Sequence, residues 1–159
     1  MKYELALGRS RLLLDSSSLT IKSIRRIDKE LDLAVAEFLE GINNKLKLIN
    51  ELNENYKEVF TRKEEETDEE YAERTKVPTE EINNKAKDIV GEDGIDSLYP
   101  LAFSALRIFA SLEHQEDKVT AESFDNACWD EVITFILEFS KKGKLRFRGV
   151  FEEYIKKLD

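Results

Sequence analysis

The sequence predicts an all-α protein, a helical bundle organised on one long N-terminal helix, and three observations carry that reading. Apolar side chains recur at steps of three or four from Ile24 through Ile27, Leu31, Val35, Phe38, Ile42, Leu46, Ile49, Leu52 and Tyr56 to Val59, which keeps them on one stripe of a 3.6-residue helix. Only six Gly and two Pro occur among 159 residues, too few for the turns of a β-sandwich. The segment from Ile95 to Leu112 is apolar on nearly every side, as in a helix covered by its neighbours.

Taken in order, residues 3–14 are the place where a sheet could form. Tyr3, Leu5 and Leu7 alternate with Glu4 and Ala6, and Leu12-Leu13-Leu14 follow Gly8-Arg9-Ser10. That pattern is compatible with a short hairpin, and the three leucines suit a helical core segment equally. Asp15 to Ser18 offer N-caps for the long helix, expected from Leu19 to about Arg62. It has no proline, and Gly41 is its one weak point. At 1.5 Å per residue such a helix would span roughly 60 Å. It must therefore find a partner along its length or bend near Gly41.

Residues 61–81 carry four basic and nine acidic groups, an acidic low-complexity linker or loop. Thr67 and Glu70 match a capping box for a short helix that Val77-Pro78 would end. Thr79 would cap a second one stopping at Gly91, before a turn over residues 91–94. In the apolar helix Pro100 fits the first turn. Thr120 would cap a further helix to about Lys142, with Gly143 as its stop. Residues 144–159 form a basic, aromatic C-terminal tail whose last helix runs through Phe147, Val150, Phe151, Tyr154 and Leu158. The chain is expected to be a single helical domain.

The formal net charge is −9, and an acidic body repels phosphate backbones, so neither nucleic acid nor membrane is an expected partner. No apolar run approaches the ~20 residues of a membrane span. A single cysteine, Cys128, excludes an intrachain disulfide and suits a cytoplasmic protein, or one acting in a host's cytoplasm.

Signatures of catalysis are missing. His114, the one histidine, sits in a polar loop and lacks the companions that a metal site needs. Cys128, beside Trp129, reads as a small apolar residue on a helix face. The carboxylates of residues 64–70 read as a solvated face, and Gly91 and Gly94 lack the lysine of a phosphate loop. The expectation is a non-enzymatic protein with no catalytic, metal or cofactor site.

Interaction features are stronger. In the tail, Arg146 and Arg148 interleave with Phe147 and Phe151, which suits either a solvent face with cations at a helix end or a surface for a partner or second copy. In the second half of the long helix, Ile49, Leu52 and Tyr56 form an apolar stripe among Asn43, Asn50, Asn53 and Asn55. These seven side chains (Ile49, Leu52, Tyr56, Arg146, Phe147, Arg148 and Phe151) are the candidate partner-binding residues.

With its short N-terminal segment, helical body, acidity and charged middle, the chain resembles the tail assembly chaperones of long-tailed bacteriophages of Gram-positive hosts. Its start departs from them, Tyr3 to Leu14 being a weak form of the family's strand-turn-strand. The resemblance implies an all-helical, non-enzymatic, oligomer-forming protein. Its partners would be an extended helical client, the tape-measure protein, and the tail-tube subunits that displace the chaperone. A reading from another class is a small acidic inhibitor or antitoxin that mimics nucleic acid with residues 64–70 and 93–96.

Overall fold

The computed structural model describes residues 1–91 and 95–157, the side chains of residues 95 and 96 excepted. The fold is all-α and organised on the long N-terminal helix, preceded by a short antiparallel hairpin. The chain forms two compact units, Met1–Phe38 with Gly94–Asp159, and Leu39–Asp93.

In the first unit, β1 (Lys2–Leu7) pairs with β2 (Ser10–Asp15) in a register that sets Leu5 opposite Leu12 and Tyr3 opposite Leu14. Period-two alternation therefore turns Leu5, Leu7, Leu12 and Leu14 into the core and leaves Leu13 outside. Two residues, Gly8 and Arg9, join the strands, and Gly8 has a φ of 63°, as the first central position of a type II′ turn requires. A Cβ on Gly8 would also lie 3.1 Å from Asn126 Cβ. The outer edge of β2 is covered, since the Asp15 N–H donates to Glu113 at 2.8 Å and the Gln115 side chain exchanges hydrogen bonds with the Leu13 backbone. The polar loop over residues 113–118 thus closes the hairpin.

Helix α1 (Ile21–Asn55) begins where Thr20 Oγ1 accepts from the Ser23 N–H at 3.2 Å. It runs unbroken past Gly41 and stops at Tyr56, short of the expected Arg62, with one further turn, α2 (Lys57–Phe60). Ile27 and Leu31 are its fully buried residues in the first unit.

Helix α4 (Ile95–Ala110) supplies Leu98, Leu101, Ala102, Ala105, Leu106, Phe109 and Ala110 to the core. It starts at Ile95, where the apolar segment begins, so Pro100 lies inside the helix and not, as expected, in its first turn. Beyond it the expected single helix is two, α5 (Ala121–Asp125) and α6 (Trp129–Lys142). Thr120 caps only the first, in a reciprocal capping box with Ser123. Phe124, Val132, Phe135, Ile136 and Phe139 close over α4, and Tyr3 meets Phe139 edge-on at 5.4 Å. Helix α7 (Phe147–Lys156) finishes the unit with Phe147 and Phe151 buried.

The end of α6 is not the glycine stop that the sequence suggests. Gly143 has an ordinary φ of −79°, and Lys144 takes the left-handed conformation at 52°. The Lys144 N–H bonds to the Lys141 carbonyl and the Leu145 N–H to the Ser140 carbonyl, the paired bonds of a Schellman ending with lysine where glycine is usual. Gly143 is instead a place of close approach by neighbouring side chains. A Cβ there would lie 3.3 Å from Leu145 Cγ and 3.6 Å from Leu19 Cδ2.

In the second unit, the last turns of α1 run antiparallel to α3 (Asp68–Val90), with Lys45 Nζ at 3.4 Å from the Val90 carbonyl and Tyr56 beside Glu81 and Lys85. The expected break at Val77-Pro78 is absent, and one helix replaces two. Pro78 has no N–H for the Arg74 carbonyl. Thr75 and Thr79 turn their hydroxyls back onto the carbonyls of Tyr71 and Thr75 at 2.8 and 2.6 Å, so Thr79 is no cap. Thr67 begins the helix, accepting from the Glu70 N–H, and Gly91 at φ 79° ends it. The expected turn over residues 91–94 lies outside the described residues beyond Gly91.

Gly8→Ala should cost about 1–3 kcal/mol, through its left-handed φ and the approach of Asn126. Gly41→Ala, with open space around its Cβ, should stabilise by roughly 0.5–1 kcal/mol. Urea unfolding of the two variants beside the parent chain reads both signs.

Candidate functional site

The seven candidate binding residues fall in different surroundings. Phe147 is 2% exposed and Phe151 fully buried, their rings stacked at 5.3 Å within the first unit's core. They are corrected to core residues: an amphipathic helix presents its aromatic stripe to the interior wherever a core is there to receive it. Arg146 is exposed and ties α7 to α1, its guanidinium 2.7 Å from Asp32 and 4.0 Å from Asp28. Arg148 pairs along its own helix with Glu152 at 3.0 Å.

Ile49, Leu52 and Tyr56 all turn toward α3. Leu52 is buried and the other two are half-buried. The Lys85 ammonium donates to Tyr56 Oη at 2.8 Å and sits 5.1 Å from its ring centroid. That hydrogen bond raises the Lys85 pKa, while Tyr56 Oη in turn donates to Glu81 at 3.2 Å. Beside this contact lies an open groove walled by Leu48, Glu51, Leu52 and Asn55 of α1 and Lys85, Asp88 and Ile89 of α3. Half of the Leu48 side chain faces solvent.

The second unit has very little core. Among its described residues only Leu52 and Thr75 are buried, and Ile42, Ile49, Ile82, Ala86 and Ile89 stay half-buried. Two helices alone cannot enclose an apolar stripe, because each covers one side of the other.

Polar chemistry holds the loop end instead. The Arg74 guanidinium grips Glu66 with two bonds of 2.7 and 2.8 Å and donates to the Val59 and Thr61 carbonyls at 2.5 and 3.2 Å. The Glu66 side chain is only 7% exposed. Arg74's hydrogen bonds, aided by the Lys63 N–H, hold the Glu66 carboxyl at a pKa of about 2. Tyr71 Oη donates to the Phe60 carbonyl at 2.9 Å. Its ring lies between Arg62 and Arg74, at 5.3 and 5.5 Å from the centroid. Arg62 also pairs with Asp68. Sequence reading took this stretch for a solvated linker, yet it is the fastening of the second unit. The signal that could have found it is the arginine at 74, eight residues past Glu66 and on the face of α3 that meets α1.

For the nucleic-acid mimic, Glu66 and Asp68 are committed to these arginines, while Glu64, Glu65, Glu69 and Glu70 remain exposed. Asp93 and the side chain of Asp96 lie outside the described residues.

Cys128 and His114 both lie at the surface. Cys128 is exposed at the N-cap of α6, a correction to the apolar helix face expected of it, because the helix breaks just before it. His114 is exposed in a left-handed conformation after a 3₁₀ turn. Among the described residues no group of three His, Cys, Asp or Glu could hold a metal ion, and no helix is long and apolar enough to cross a membrane. The chain matches no family model, no curated protein and no solved structure.

The Glu66 carboxyl titrates lower in the folded chain than its ordinary 4.5. Its contribution is therefore complete above that pH and is lost as pH falls toward about 2. Glu66→Gln should lower stability at neutral pH and flatten this part of the acid limb. Urea midpoints of both proteins between about pH 6 and pH 2 read the difference.

Proposed function

We propose that the chain is a non-enzymatic assembly chaperone whose second unit receives an extended helical client, and that it serves bacteriophage tail assembly, with the tape-measure protein as that client. The observation that carries this reading is the sparse core of the hairpin of α1 and α3, where Leu52 and Thr75 are the buried residues among those described. Its apolar stripe, at Ile49, Leu52 and Ile89, is covered by one neighbouring helix, where an enclosed stripe needs two. An amphipathic helix laid in the groove beside Leu48 and Leu52 would complete a three-helix unit. The rim supplies both signs of charge through Glu51, Asp88 and Lys85, which suits the mixed flanks of a coiled-coil client.

A chaperone has to release what it holds. A groove with half-exposed apolar side chains and a charged rim binds without a deep anchor, so a competing subunit can displace the client. No catalytic group is required for that task. The acidity of the chain, with its net charge of −9, would keep client complexes soluble. The site of action would be the host cytoplasm, where tails assemble.

A direct test uses a purified coiled-coil segment of the tape-measure protein from the same genome, titrated by fluorescence anisotropy. Binding should persist at about 0.5 M salt, where exposed charge pairs are screened. Leu48→Asp, at a side chain that the monomer does not bury, should weaken it at least about tenfold. Absence of binding, or binding that salt abolishes and Leu48→Asp leaves intact, would contradict the reading.

A further inference from the structure

We infer that the outer edge of β1 is a docking site for an extended, lysine- or arginine-rich segment of another protein, added as a further strand in the groove between β1 and α6. The two edges of the hairpin differ. In an antiparallel ladder the residues of alternate opposing pairs turn their N–H and C=O groups away from each other, toward the outside. Leu13 and Asp15 are such residues, since their backbones bond to Gln115 and Glu113. The register sets Glu4 opposite Leu13 and Lys2 opposite Asp15, with Ala6 next in the same phase. These three residues of β1 therefore point their backbone groups outward, and all three are exposed. Among the described residues no group hydrogen-bonds those N–H and C=O groups. The loop over residues 113–118 closes the β2 edge, and the β1 edge stays open.

That edge borders a groove. Helix α6 lies beside β1, and the space between them, about 480 Å³, is walled by Asp130, Glu131, Thr134 and Glu138, with Tyr3 and Phe135 at its base. The two rings meet edge-on at 6.4 Å. Side chains alternate between the faces of a sheet, so every second residue of an added strand would turn to the same face as Tyr3, toward α6. The unpaired backbone groups would supply affinity and that alternate set the selectivity, as strand addition generally works.

The occupant is argued from charge. Asp130, Glu131 and Glu138 are exposed, and among the described residues none of them forms an ion pair or a side-chain hydrogen bond. Asp130 and Glu131 suit the first turn of a helix, but Glu138 lies about two turns further on and stands close enough to Tyr3 to act on its hydroxyl. Burial, and then the Glu138 charge, raise the pKa of that group. The cations on the rim are committed elsewhere. The Met1 amine donates to Ser16 Oγ at 3.2 Å and lies 3.9 Å from Asp15, and Lys2 stands opposite Asp15 in the ladder. Lys141 and Lys142 of α6 line no part of the groove. A strand with lysine or arginine at every second position would thus meet three uncompensated carboxylates. β1 itself carries one lysine and no arginine, so a second copy is a poor match. The charged side chains of a short edge guard it against indiscriminate pairing while admitting a segment of the opposite sign.

A capped octapeptide alternating lysine with threonine, labelled for fluorescence anisotropy, tests this on the full chain. The peptide should bind, and its glutamate–threonine counterpart should not. Two further versions carry N-methyl groups on either the lysine or the threonine amides. One of them should bind at least about tenfold more weakly and the other near the parent level, because a strand offers only one alternate set of N–H groups to an edge. Ala6→Pro removes an outward N–H while sparing the ladder to β2, and Glu138→Lys removes a carboxylate from the groove. Each should weaken binding at least about tenfold, and circular dichroism checks that each keeps the parent's helix content. In amide hydrogen exchange, Glu4 and Ala6 should gain protection when the peptide is added. Absence of binding, two methylated versions that bind alike, or variants that bind as the parent does would each overturn the inference. So would protection of Glu4 and Ala6 that rises with protein concentration alone, as pairing with a second copy would give. The inference stands apart from the client reading, since Leu48→Asp should leave the peptide bound.

Discussion

Burial of α4 is the constraint on which the larger unit depends. A helix with Leu98, Leu101, Ala102, Ala105, Leu106, Phe109 and Ala110 all out of water must be covered on several sides, and each neighbour exists in part to do this. The hairpin contributes Leu5, Leu7, Leu12 and Leu14, the first turns of α1 contribute Ile27 and Leu31, and α6 and α7 close the remainder with aromatic rings. An isolated two-stranded hairpin is marginal in water. Here its apolar face rests on helices, and its β2 edge is tied to Glu113 and Gln115.

The second unit is held together on other terms. It buries one apolar side chain and one threonine among its described residues and relies on a polar fastening at its loop. Arg74 satisfies Glu66 with a planar bidentate pair and takes up the Val59 and Thr61 carbonyls at the end of α2. Such a fastening fixes geometry well, but contributes less stability than a packed core, because each hydrogen bond made replaces one to water. Helices held in place with an incompletely enclosed apolar stripe suit the reversible reception of a third helix.

Much of this was legible in the sequence. The three-to-four spacing of apolar residues located α1, the density of apolar residues marked α4 as central, and the alternation at residues 3–7 allowed the hairpin. Failures came where a local rule met a tertiary partner. Pro78 should have ended a helix, but α3 runs through it, with the Thr75 and Thr79 hydroxyls turned back onto the carbonyls of Tyr71 and Thr75. Gly143 looked like a helix stop and is a close-packing residue, while the left-handed position passes to Lys144. Phe147 and Phe151 looked available to a partner because an amphipathic stripe in sequence does not say what it faces. Of the candidate interaction site, the sequence located the stripe of Ile49, Leu52 and Tyr56. It could not show that α3 covers one side of it, since that depends on a long-range pairing of Tyr56 with Lys85.

The central claim is that the two units differ in how they are stabilised, one by a buried apolar core and one by a polar fastening over an incomplete core. Native-state hydrogen exchange tests it most directly, since it reads the opening free energy of each helix separately. Amides of the last turns of α1, residues 42–55, and of α3, residues 79–90, should open well below the free energy of global unfolding, while those of α4 and α6 should report the global value. Equal protection across all four segments would contradict the account.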